Sequence, residues 1–184
     1  MANNFQWYDI VSSKDDIQQG DFIEECPIII PPKAILEPVD LNVEVEVRNV
    51  ILMTQSCDIL KPKIKELLVC PYFTMEQLSS KETSYHDVTK RELLRRGYVV
   101  NRHLLDKCEL DGNETDYLIV DFSTLYSVNK NVIKELITVK KNRKRLLPPY
   151  REHLSQAFAR YFMRVGLPND IPTFDPKFMD HMSE

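Results

Sequence analysis

A chain of 184 residues, 43% hydrophobic and 28% charged, can bury a core and has the balance of an ordinary globular protein. Only four glycines occur and no GxGxxG or Walker-type pattern, which argues against a glycine-rich phosphate cradle; no apolar run approaches the roughly 20 residues that span a bilayer. The net charge of −4 is unevenly spread: residues 77–164 hold 17 basic against 11 acidic residues, while residues 1–76 hold 6 against 13. A polyanion would therefore meet the middle-to-late part of the chain.

The first residues, Met1 to Trp7, lack the basic and apolar regions of a secretory signal, so the expected location is cytoplasmic, with no membrane partner. The cysteines Cys26, Cys57, Cys70 and Cys108 form no CxxC pair and are expected to be reduced thiols. Ser12 or Ser13 with Asp15 and Asp16 can cap a short helical turn. Gln18 to Asp21 reads as a turn, and Phe22-Ile23 opens the first strand. Cys26 to Pro32, apolar and closed by prolines, reads as an edge piece or loop. Leu41, Val43, Val45 and Val47 alternate with Asn42, Glu44, Glu46 and Arg48, the period of a half-buried strand.

Val50-Ile51-Leu52-Met53 then suits a strand buried on both faces, which delivers Gln55, Ser56, Cys57 and Asp58 to one rim of the core. Leu67 to Thr74 is a second apolar strand, expected to pair antiparallel with the first. Residues 88–96 read as a helix, with Asp87 as cap and Gly97 as stop. Residues 102–105 and 117–122 read as strands around the turn residues Asp111-Gly112-Asn113, and Tyr126-Ser127-Val128 as a short one. After Pro148-Pro149, the residues Leu154, Ala157, Phe158, Tyr161, Phe162 and Val165 fall on one helical face, stopped by Gly166-Leu167-Pro168. The expectation is α+β: one domain over 1–168, a small, strongly bent antiparallel barrel with an inserted helix and a C-terminal helix, followed by a surface tail over 169–184.

Four segments in this order carry a family resemblance. Gly20-Asp21-Phe22-Ile23 resembles the opening strand of the MazF/PemK toxin endoribonucleases, which have an SH3-like barrel. The segment from Val47 to Gln55 resembles the family's Val-Arg-Pro-apolar-strand segment, with Asn49 in place of Pro. Leu68 to Thr74 resembles its next strand, and Tyr117 to Val128 its late strand, with Asn129 and Lys130 where the family has Asp and Lys. The resemblance implies a bacterial toxin–antitoxin context, possible homodimers and single-stranded RNA as the partner. It implies Arg48 and Thr74 as catalytic residues, the arginine neutralising charge on the scissile phosphate and the threonine hydrogen-bonding it. Cleavage by the RNA's own 2′-hydroxyl needs no metal, so no cofactor is expected.

The family's glycine-rich loop before the arginine is absent, and Glu44 and Glu46 share a strand face with Arg48. The second expectation is therefore a catalytically inactive barrel serving as a protein-interaction module in a toxin–antitoxin or defence assembly. RNA contact is expected at Lys140, Lys141, Arg143, Lys144 and Arg145, with Arg151 beside them. His153, with Arg151, Arg160 and Arg164, lies on the last helix, and Tyr150 to His153 beside Lys140 to Arg145 could make a basic groove. Gln55, Cys57 and Asp58 are a candidate site rim, with Cys57 a conceivable nucleophile if a base lay near it. Cys57, Cys70, His103 and Cys108 have the residue types of a zinc site without the ligand spacing.

Overall fold

A computed structural model describes residues 5–31 and 44–163. The start of the alternating strand at Leu41 and Val43, the helix stop at Gly166-Leu167-Pro168 and the tail over 169–184 lie outside the described residues. The fold is α+β, with five α-helices and only antiparallel strand pairs among the described residues.

Six strands form the main sheet: β2 (Phe22–Ile30), β3 (Glu44–Leu52), β4 (Glu66–Thr74), β5 (Arg102–Leu105), β6 (Leu118–Asp121) and β7 (Tyr126–Asn129). Their order is β2-β3-β4-β6-β5, with β7 pairing the first half of β4. A second sheet pairs β1 (Tyr8–Ser12) with β8 (Asn142–Leu146). The two sheets touch at the Asp21–Arg145 bridge and through the Leu146 N–H, which donates to the Gly20 carbonyl at 2.9 Å. Both sheets are open, and closure into an SH3-like barrel is not shown.

The strand pairing expected between 50–55 and 67–73 is present: Val50, Ile51 and Leu52 face Pro71, Cys70 and Val69. These residues are buried on both faces. Val50, Leu52, Leu67 and Val69 pack with Ile133 and Ile137 of α4 (Lys130–Lys140). Ile51, Met53, Cys70 and Tyr72 pack with Tyr8, Leu146 and Leu154, the last from α5 (Tyr150–Phe162). Alternate side chains thus enter opposite layers, which is why four apolar residues run in succession. The insertion, α2 (Met75–Lys81), a 3-10 turn over Thr83–His86 and α3 (Val88–Arg95), packs Leu78, Tyr85 and Leu94 around Ile119. Asp87 caps α3 as expected, its carboxylate accepting from the Thr89 N–H at 2.8 Å. Gly97 follows at φ +74°, where a side chain would strain the backbone.

The structure refines four of these readings. Ser12 does not cap a helical turn; it ends β1, and Asp15 accepts from its N–H and hydroxyl at 2.7 and 2.8 Å. Of the two readings for Cys26 to Pro32 the edge piece holds: Cys26 to Ile30 is the second half of β2, an edge strand that tolerates Pro27. The valines of the alternating strand face outward: Val45 and Val47 are 58% and 64% exposed, while Glu46 and Arg48 share the opposite face with buried Ile28 and Cys26. Here the β2–β3 ribbon has run past the layer that covers Ile51 but not the one that covers Val50 and Leu52, so period-two alternation alone did not fix which face is buried. The basic run Lys140 to Arg145, where RNA contact is expected, spans the end of α4 and all but the last residue of β8.

Candidate nucleic-acid interface

Arg48 sits on β3 and pairs with Glu46 two residues away. Thr74 ends β4 and caps α2: its hydroxyl accepts from the Gln77 N–H at 3.1 Å, while the Gln77 side chain accepts from the Thr74 N–H at 2.9 Å. This capping box engages the threonine oxygen locally. The β3–β4 ladder ends at Val50 and Pro71, short of both residues, and Arg48 lies opposite Cys26 on β2. Backbone pairing therefore does not set Arg48 against Thr74.

Gln55, Cys57 and Asp58 do come together, at α1 (Ser56–Ile59). Cys57 is exposed, with its sulfur 3.8 Å from the Gln55 side-chain oxygen, and Asp58 pairs with Lys61 at 2.5 Å. Cys70 and Cys108 are buried in the core while Cys57 is on the surface, so the four candidate zinc ligands are not gathered. Burial pushes the Cys70 thiol up to about 12. No cluster of three or more His, Cys, Asp or Glu suited to a metal ion occurs among the described residues.

The basic run from Lys140 is dispersed by strand alternation. Arg143 and Arg145 turn inward onto Asp21, which is fully enclosed. Arg143 Nε donates to Asp21 Oδ2 at 2.7 Å, and its Nη atoms donate to the carbonyls of Ser12, Asp15 and Asp16 at 2.7 to 2.9 Å. Arg145 donates to both Asp21 oxygens and to the Asp16 carbonyl. Lys140 pairs with Glu25, and Arg151 with Glu152. Lys144 is half-buried, donating to Thr115 Oγ1 at 2.9 Å above the Tyr8 and Phe22 rings, and desolvation lowers its pKa. Lys141 alone of the run keeps an exposed side chain with no ion pair among the described residues. The cleft beside this segment also contains Glu24 and Glu114, so its charge is mixed.

A different cleft concentrates positive charge. Between α3, β5 and α5 lies a space of about 380 Å³ edged by Arg95, Arg96, Arg102, His103, His153 and Arg160, with no carboxylate in its lining. Leu94, Val100, Leu104 and Ala157 supply apolar wall. Glu92 binds both Arg95 and Arg96, at 2.6 and 2.8 Å, and those bonds hold its carboxyl down at about 2. Arg102 is pinned by Glu82 and by the Tyr85 hydroxyl, which accepts at 2.9 Å; the Glu82 bond chiefly raises its pKa. Its Nε is buried and has no hydrogen-bond partner among the described residues. Arg160 is exposed and has no carboxylate partner among them. Burial, with the charges of His153 and Arg160 added, lowers the His103 pKa to about 4, so its ring is neutral at pH 7. Four guanidiniums at one concavity can bind an anion through charge-assisted, forked hydrogen bonds.

His153 and Arg160 were legible as a basic helix face. Their partners are α3 and β5 rather than residues 140–145, and only the tertiary fold brings those together. The doublet Arg95-Arg96 was visible in a predicted helix, but nothing local marked it as facing α5. No protein-family model, curated protein or solved structure matches this chain.

Proposed function

We propose that this protein binds single-stranded RNA through the cleft between α3, β5 and α5. The observation that carries this is the convergence of four arginines and two histidines from three elements on a concavity without carboxylates. Phosphates supply the negative charge such a surface attracts, and arginine and histidine planes can stack on unpaired bases. Binding is favoured over cleavage, because Arg48 is engaged by Glu46 and the Thr74 hydroxyl by the α2 cap. The MazF/PemK-like barrel belongs to the same proposal. It is supported by the Gly20-Asp21 opening of β2, the antiparallel β3–β4 pair and the contact between sheets at Asp21 and Arg145.

Ultraviolet crosslinking to a single-stranded RNA in EDTA, with peptide mapping, tests this. Crosslinks should fall on α3, β5 and α5 and the RNA should stay intact. Crosslinks confined to Lys141 and β8 would move the interface. Cutting in EDTA that Arg48→Ala abolishes would restore the catalytic alternative.

One observation favours an interaction module as a second reading. Ile29, Val45 and Val47 share one face of the β2–β3 ribbon and are each more than half exposed, and β2 is an edge strand. Adjacent apolar side chains on an open edge suit a protein partner. Val47→Lys should then abolish protein association without affecting RNA binding.

A further inference from the structure

Resting on the RNA-binding reading, we propose that the cleft between α3, β5 and α5 selects a phosphate monoester, on an RNA end or a free nucleotide, over a backbone phosphodiester. Charge supports this. Four guanidiniums edge the cleft, and the carboxylates bonded to them among the described residues are Glu82 and Glu92. Two positive charges are left over. A phosphate monoester carries about −1.5 to −2 at pH 7, whereas a diester carries one charge.

Shape points the same way. The cations rise from two helices and a strand around one concavity instead of following a stripe along the surface. At about 380 Å³ the space falls in the range of small-molecule sites and suits one nucleotide rather than a run of them. Arg160 and His153, two turns apart on α5, stand at one wall, and Arg95 and Arg96 at the end of α3. Arg102 is held rigidly by Glu82 and Tyr85, which fixes the β5 side without adding side-chain freedom to lose on binding. The apolar wall from Leu94, Val100, Leu104 and Ala157 offers a surface to the sugar or base.

The test is fluorescence anisotropy with one single-stranded RNA made in three forms: 5′-phosphorylated, 3′-phosphorylated and with hydroxyls at both ends. A nucleoside monophosphate serves as competitor. One phosphorylated form should bind at least about tenfold tighter than the hydroxyl form, the gain of one further charge-assisted contact. Arg160→Ala and His153→Ala should each shrink that preference. Both positions are exposed, and an unchanged circular dichroism melt would show that the fold persists. Displacement by the monophosphate at similar affinity would assign the site to a free nucleotide; preference without displacement would assign it to an RNA end. Equal binding of all three forms would overturn the monoester proposal and leave RNA binding standing. Binding of the monophosphate with no RNA bound would keep the monoester and end the RNA reading. No binding by any ligand, or a preference untouched by both variants, would overturn the proposal.

Discussion

Asp21 shows how one buried side chain can decide what its neighbours do. It accepts from Arg143, from Arg145 and from the Gln18 N–H at 3.0 Å, and so holds two guanidiniums in the interior, whose other N–H groups go to the carbonyls of Ser12, Asp15 and Asp16. Gly20 makes this possible: its φ is +85°, and a Cβ there would lie 3.1 Å from the Leu146 side chain. Breaking a buried ion network by removing its carboxylate strands the remaining charges, so Asp21→Asn should cost about 3–5 kcal/mol in urea unfolding. A cost below about 1 kcal/mol would mean that water reaches the arginines. His103 gives a second residue-scale expectation. Its pKa is lowered from 6.5 to about 4 by burial, so the unfolded chain binds the extra proton between those values. Stability is full above about pH 6.5 and should fall by about 2–3 kcal/mol as the pH drops to 4. His103→Gln should remove that part of the acid loss; an unchanged pH dependence would show that the ring is protonated without penalty.

At the scale of elements, α5 turns one face to the core and another to the cleft. Leu154 is fully buried, Phe158 packs edge-on against Phe122 at 5.4 Å, and Phe162 is 53% exposed. Leu154→Ala should therefore cost about 2–5 kcal/mol and Phe162→Ala under about 1, measured by chemical denaturation. Equal costs would mean that the apolar face is covered along its whole length. The sequence displayed that face, the doubly buried strand at Val50 to Leu52 and the capped helix α3, because each carries its own periodicity or end signal. It did not display β8. Arg143 and Arg145 are two residues apart and so point the same way on a strand, but only their partner Asp21, more than a hundred residues earlier, shows that the direction is inward. Val45 and Val47 misled for a related reason. Alternation marks two faces, and burial depends on what covers each one.

For the whole molecule, the uneven charge seen along the chain becomes a spatial one, although not at the densest basic run. Lys140, Arg143 and Arg145 are drawn into ion pairs, the two arginines in the interior, while arginines scattered over α3, β5 and α5 gather at one cleft. The candidate site was therefore legible in its charge and illegible in its location, since convergence is a property of the fold. Its central claim, that this cleft binds RNA phosphates, is tested most directly by the salt dependence of single-stranded RNA affinity in wild type, Arg96→Ala and Arg160→Ala. Binding should weaken steeply from about 50 to 200 mM salt, and each variant should flatten the log–log slope by about 0.7, one single-strand phosphate contact. Wild-type protein that fails to bind at about 50 mM salt, or variants whose slopes equal the wild-type slope, would contradict it.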